Sequence, residues 1–162
     1  MGMDVYGRNP KNKTGEYFRA NVWSYRPIHF LCMKASLSHK LETGEKELIQ
    51  PKTLMGMSHN SGHGLRSERK CKLLSEWLEL FIEDLFDSPK EMEWFENKIG
   101  VDKDGWFYID YGYFYVGKDG KFLSKEEEKD PNIEKRTPYR TNKEHIQEFI
   151  GFLKNCGGFE VW

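Results

Sequence analysis

The feature that most constrains the fold is an apolar stripe in the middle of the chain. Leu65, Cys71, Leu74, Trp77, Leu78, Phe81, Ile82, Leu85 and Phe86 fall at helical spacing, the mark of an amphipathic helix. The stripe predicts a helix from about Ser67 to Phe86. Such a helix must bury one face, so a second layer has to lie against it. Three further segments have helical character. Pro27 suits a first helical turn, and Ile28, Leu31, Cys32 and Ala35 follow at helical spacing, which predicts a helix from about Arg26 to His39. Ser88-Pro89 reads as a helix restart with Met92, Phe95 and Ile99 as its face and Gly100 as its stop. Thr141 and Glu144 read as a capping box ahead of Ile146, Phe149, Ile150 and Leu153, with Gly157 and Gly158 ending that helix.

Between these segments the pattern turns to β. MDVYG alternates and reads as a strand, LMGM as a short strand, and FEVW as a closing strand. Lys118-Asp119-Gly120-Lys121 is a hairpin signal between YFYV and KFL. The order is β, α, β, α, α, β-hairpin, α, β. It predicts one α+β domain over 1–162, with a small mixed or antiparallel sheet packed with three to four helices. Within it, 101–123 is a β-hairpin-rich insert and 124–138 a charged loop. The terminal strands MDVYG and FEVW are expected to be neighbours.

At 162 residues a core of useful size forms without staples. Charged residues are 31% of the chain yet nearly cancel, at net −1, which speaks against general nucleic-acid binding. Aromatic residues reach 15%, enough for an aromatic core or pocket. No apolar run is long enough to span a bilayer, the N-terminus lacks a signal-peptide core, and Tyr6 breaks a myristoylation motif. Cys32, Cys71 and Cys156 form no C-x-x-C pair and read as reduced, buried thiols. The expected location is the cytoplasm.

Four stretches carry a likeness to other proteins: M-G-M-D-V-Y-G-x-N-P, T-G-E-Y-F-R-x-N-V-W-x-x-R-P, S-H-N-S-G-H-G-L, and the closing F-L-K-N-C-G-G-F-E-V-W. Together they resemble a bacterial and bacteriophage family that opens M-G-x-D-V-Y-G, continues G-E-Y-F-R-x-x-V-W-x-W-R-P, has N-D-G-x-G-L in the middle and ends in G-G-F. Ser61 stands where the family has Asp, and the family's cysteine-rich insert is replaced here by the aromatic hairpin. The resemblance implies a phage protein or a bacterial host-cell cytosol and brings no activity with it.

The segment MSHNSGHGL, ahead of the long helix, admits several readings. His59 and His63 are spaced for a metal on a helix, but Gly62 and Gly64 oppose a helix and no third ligand is in reach of the pattern, so no metal is expected. An anion cradle is one reading, with Asn60, Gly62 and Gly64 turning backbone N–H groups toward a phosphate near Arg66 and Arg69. The plain alternative is a turn that caps the helix through Asn60 and Ser61. In GEYFRANVWSYRP, Arg19 and Arg26 are interleaved with Tyr17, Phe18, Trp23 and Tyr25. Arginine forks grip phosphate or carboxylate and aromatic faces stack on bases. The plain alternative is aromatics as core and arginines as surface partners of Asp4 or Glu16.

These stretches predict a non-enzymatic binding protein for a small anionic, nucleotide-like ligand, with no cofactor. Its contacts would be Tyr17, Arg19, Trp23, Arg26, His59, Asn60, Gly62, His63 and Gly64. In a phage setting it would sequester a host signalling nucleotide. One alternative is a hydrolase or phosphodiesterase with His59 or His63 as general base, oriented by Asp4 or Glu16. Another is an inhibitor that binds a protein partner through the aromatic hairpin at Tyr113 and Tyr115.

Overall fold

The computed structural model describes residues 2–87 and 90–162. Two antiparallel sheets and five α-helices form an α+β domain. The first sheet has the order β2-β1-β7, built from β1 (Gly2–Gly7), β2 (Tyr17–Asn21) and β7 (Phe159–Val161). The two terminal strands are therefore neighbours, as expected, with Val5 opposite Val161 and Gly7 opposite Phe159. The segment YFRAN, part of the arginine–aromatic cluster ahead of the expected helix, is a strand. Phe18 and Ala20 face inward while Tyr17, Arg19 and Asn21 face outward. This period of two separates core aromatics from exposed arginine within one short stretch.

Helix α1 spans Val22–Thr43 and starts four residues before the expected Arg26. Asn21 caps it, accepting the Ser24 N–H at 2.8 Å. Pro27 consequently lies inside the helix rather than in its first turn. An interior proline removes one backbone bond. The packing of Tyr25, Ile28, Leu31, Cys32 and Ala35 into the core holds the helix together across that gap. Gly44 ends it in the left-handed region, at φ 69°. The chain then returns along α1, where the Ser36 hydroxyl donates to the Ile49 carbonyl and accepts the Ile49 N–H. The apolar LMGM is the end of a short helix, α2 (Pro51–Gly56), and not a strand. Pro51 at its first turn sets that choice.

Helix α3 (Glu68–Asp87) matches the stripe, with Cys71, Leu74, Leu78, Ile82 and Leu85 buried against α1 and α5. The expected restart at Ser88-Pro89 lies outside the described residues. Its expected face does not form a helix. Met92–Trp94 (β3) and Asn97–Val101 (β4) make a hairpin, with Met92 opposite Ile99. Phe95 and Glu96 form its turn at φ 49° and 63°, the two positive values of a type I′ turn. Helix and strand spacings are indistinguishable for three apolar residues; pairing with β5 (Trp106–Asp110) favours the strand. The second sheet runs β3-β4-β5-β6 and ends on β6 (Arg140–Asn142).

The expected hairpin at Lys118–Lys121 is a turn closed by Gly117 N–H to the Lys121 carbonyl, with a single bridge between Val116 and Phe122. The charged loop contains a short helix, α4 (Lys125–Lys129), with Ser124 and Glu127 in a reciprocal capping box. Helix α5 (Lys143–Asn155) is capped by Asn142, not by the expected Thr141, because Asn142 accepts the His145 N–H at 2.8 Å. Thr141 sits in β6 and is buried. Gly157 and Gly158 stop α5 as expected, at φ 63° and 105°. No described helix is long and apolar enough to cross a membrane.

Candidate functional site

The segment MSHNSGHGL leads from α2 to α3 and is fastened to the first sheet. The Gly62 N–H donates to the Val161 carbonyl, Val161 N–H to the His63 carbonyl, and Phe159 N–H to the Leu65 carbonyl, at 2.8, 2.9 and 2.6 Å. Residues 62–65 thus run along β7 as an added edge. The N–H groups of Ser58, His59, Ser61 and Gly62 all donate to protein carbonyls. A backbone cradle needs such groups free, so the turn half of the plain reading accounts for these residues, while the cap half does not. Ser67, rather than Asn60 or Ser61, caps α3 by accepting the Lys70 N–H. Asn60 reaches the Gly2 carbonyl at 3.4 Å, and Ser61 donates to the Gly56 carbonyl. His59 and His63 are exposed and lie against the Ser58 and Ser61 hydroxyls. Among the described residues no group of three His, Cys, Asp or Glu is placed to hold a metal.

Arg19 and Trp23 lie elsewhere. They line a cleft of about 940 Å³ between the β2–α1 junction and the β6–α5 junction. Gly62, His63 and Gly64 line a different cleft of about 520 Å³ beside α3. Tyr17, Arg26, His59 and Asn60 line neither. Tyr17 donates its hydroxyl to Asp4 on the outer face of the first sheet, and that bond raises the phenol above its usual range. Arg26 lies toward Tyr111 and Tyr139, where its charge opposes the rise that burial gives both phenols.

The larger cleft gathers residues that sequence reasoning missed: Trp106, Arg136, Arg140, Thr141 and His145. Sheet register brings them together, since Trp106 of β5 lies opposite Asn142 of β6. The Arg140 guanidinium rests over the Trp106 ring, 5.1 Å from its centroid. It is also bound to Asp102, whose other oxygen accepts the Asp104 and Trp106 N–H groups. Asp102 therefore ties the turn before β5 to the arginine. Burial lowers Arg140 from the usual guanidinium value, and the Asp102 charge acts against that. Arg136 lies 3.6 Å from Asp104 and 3.5 Å from Glu134. Arg19 crosses the backbone of Gly2, pairs loosely with Asp4 at 3.7 Å and is 67% exposed. A guanidinium has five donors, so each of these ion pairs leaves N–H groups for a ligand. The carboxylates beside Arg136 and Arg140 hold those side chains in place.

Two polar atoms buried behind the cleft wall lack partners among the described residues. Thr141 is 1% exposed and its Oγ1 has no hydrogen bond among the described residues; His145 Nε2 is likewise buried and unbonded. The Nδ1 of His145 faces Glu148 at 3.5 Å. Unsatisfied buried polar groups are rare and costly. A signal for this site was present in KRTPYRTN, where two arginines flank Pro-Tyr in the same Arg–aromatic alternation as GEYFRANVW. Inside a charged stretch it reads as a solvated surface. Comparison with protein-family models, curated proteins and solved structures gives no match, so function rests on the chemistry of the cleft.

Proposed function

We propose that the protein binds, without transforming it, a small anionic ligand of nucleotide type in the cleft between the α1 and α5 N-termini. The observation that supports this reading is that Arg19, Arg136 and Arg140 line one cleft together with Trp23 and Trp106. Arginine forks match phosphoryl oxygens, and indole faces match a base. Gly62, His63 and Gly64 belong to a separate cleft and are not part of this ligand's site in the proposal. The setting we propose, on the strength of the motif likeness, is the cytoplasm of a bacterial host, where tight binding would remove a signalling nucleotide from solution. Thermal shift and titration calorimetry with nucleoside mono- and diphosphates test the reading. Binding that weakens about tenfold or more in Arg140→Gln is the expected result, the loss typical of a charge-assisted hydrogen bond. No shift with any nucleotide would end it.

A second reading is favoured by one observation. Tyr113, Phe114 and Phe122 are 53%, 54% and 56% exposed and touch edge to face in a chain of rings. An exposed aromatic patch of this kind suits a protein partner. On that reading Tyr113→Glu abolishes a stable complex and leaves nucleotide binding intact.

A further inference from the structure

Several recognition parts of the cleft occur in pairs, beside a third arginine, Arg136, and the carboxylates Glu144 and Glu148. Two helices begin there: Asn21 and Asn142, the caps of α1 and α5, both line it. Each capped end directs partial positive charge into the cleft. Two tryptophans line it, Trp23 on α1 and Trp106 on β5. Arg19 stands on the β2 strand that leads into α1, and Arg140 on the β6 strand that leads into α5. The volume, about 940 Å³, lies near the upper end of the roughly 300–1,000 Å³ of ligand pockets.

A mononucleotide presents one base and one phosphoryl group, and would leave half of this equipment unused. We infer that the ligand is a dinucleotide, two bases joined through phosphodiester linkage, linear or cyclic. One base lies on Trp23 and the other on the Trp106–Arg140 platform, with phosphoryl oxygens shared between Arg19 and Arg140. This inference rests on the nucleotide reading above and narrows it.

The test is calorimetry of the full chain with three probes: adenosine or guanosine monophosphate, a 5′-phosphorylated linear dinucleotide, and a 3′,5′-cyclic dinucleotide. One dinucleotide per chain is expected, linear or cyclic, at least about 100-fold tighter than the mononucleotide, since two stacked bases contribute where one did. Trp23→Leu and Trp106→Leu keep apolar bulk but lose the indole face, and each should weaken the dinucleotide about tenfold. Near-ultraviolet circular dichroism checks that both variants fold; should Trp23→Leu not fold, Trp106→Leu and Arg140→Gln carry the same comparison. A mononucleotide that binds as tightly as either dinucleotide overturns the inference while leaving the nucleotide reading standing. So does unchanged dinucleotide affinity in folded Trp106→Leu. Absence of binding by all three probes removes both.

Discussion

Alanine at Gly64 and alanine at Gly44 should have very different costs, for separable physical reasons. A Cβ at Gly64 would overlap the Phe159 carbonyl oxygen and stand 2.7 Å from the Phe159 carbonyl carbon and 2.9 Å from its ring. Carbon atoms rest at about 3.5 Å or more, so the loop must retreat from β7 by nearly an ångström. That retreat breaks the bonds from Phe159 N–H to Leu65 and from Val161 N–H to His63, each with a net value of about 1 kcal/mol. It also uncovers part of Phe159, a fully buried ring, for about a further 1–2 kcal/mol. Gly64→Ala is thus expected to cost about 3–4 kcal/mol. Gly44 has no described atom within 4 Å of its would-be Cβ, which leaves φ 69° as the constraint on an added side chain. The left-handed conformation costs about 1–2 kcal/mol for alanine, and the lost freedom of the unfolded chain returns about half of that. The net is about 1 kcal/mol. Urea unfolding followed by circular dichroism measures both. If Gly64→Ala costs no more than Gly44→Ala, residues 62–65 are not fastened to β7, and the glycines of MSHNSGHGL have another reason to be there.

Further expectations concern single residues. Glu96 holds φ 63° in a tight turn, so Glu96→Gly should stabilise the protein by about 0.5–1 kcal/mol in the same urea assay. His29 Nε2 donates to the Leu54 carbonyl at 2.7 Å, and burial first, then the charges of Arg26 and His59, lower its basicity despite that bond. A base lowered in the folded state contributes stability that is complete above its unfolded value, near about 6.5, and is lost as pH falls below that toward the folded value. The urea midpoint should therefore drop as pH falls below about 6.5, and His29→Asn should flatten that drop; an equal slope in the variant would refute it. Cys32, Cys71 and Cys156 are all buried, with burial pushing the Cys32 thiol up to about 12. A thiol reagent at neutral pH should label all three slowly in the native protein and at once in urea.

Local patterning determined the elements whose apolar spacing has only one solution. The α3 stripe from Cys71 to Leu85, the α5 face from Ile146 to Leu153, its Gly157-Gly158 stop and the strands at both ends are of this kind. Each repeats one period long enough, or ends on a residue type particular enough, to exclude the alternatives. Met92, Phe95 and Ile99 satisfy helix and hairpin spacing alike, and only pairing beside β5 decided for the strand. Pro27 argued locally for a helix start, and tertiary burial of the α1 face carried the helix through it. The cleft was legible only in its first part, Arg19 and Trp23. Its other half comes from residues 106 and 136–148, distant in the chain and brought alongside by the register that sets Trp106 opposite Asn142. A sequence period states which face of an element is apolar. Which polar side chains then converge is decided by strand pairing and helix packing, which depend on contacts between distant segments.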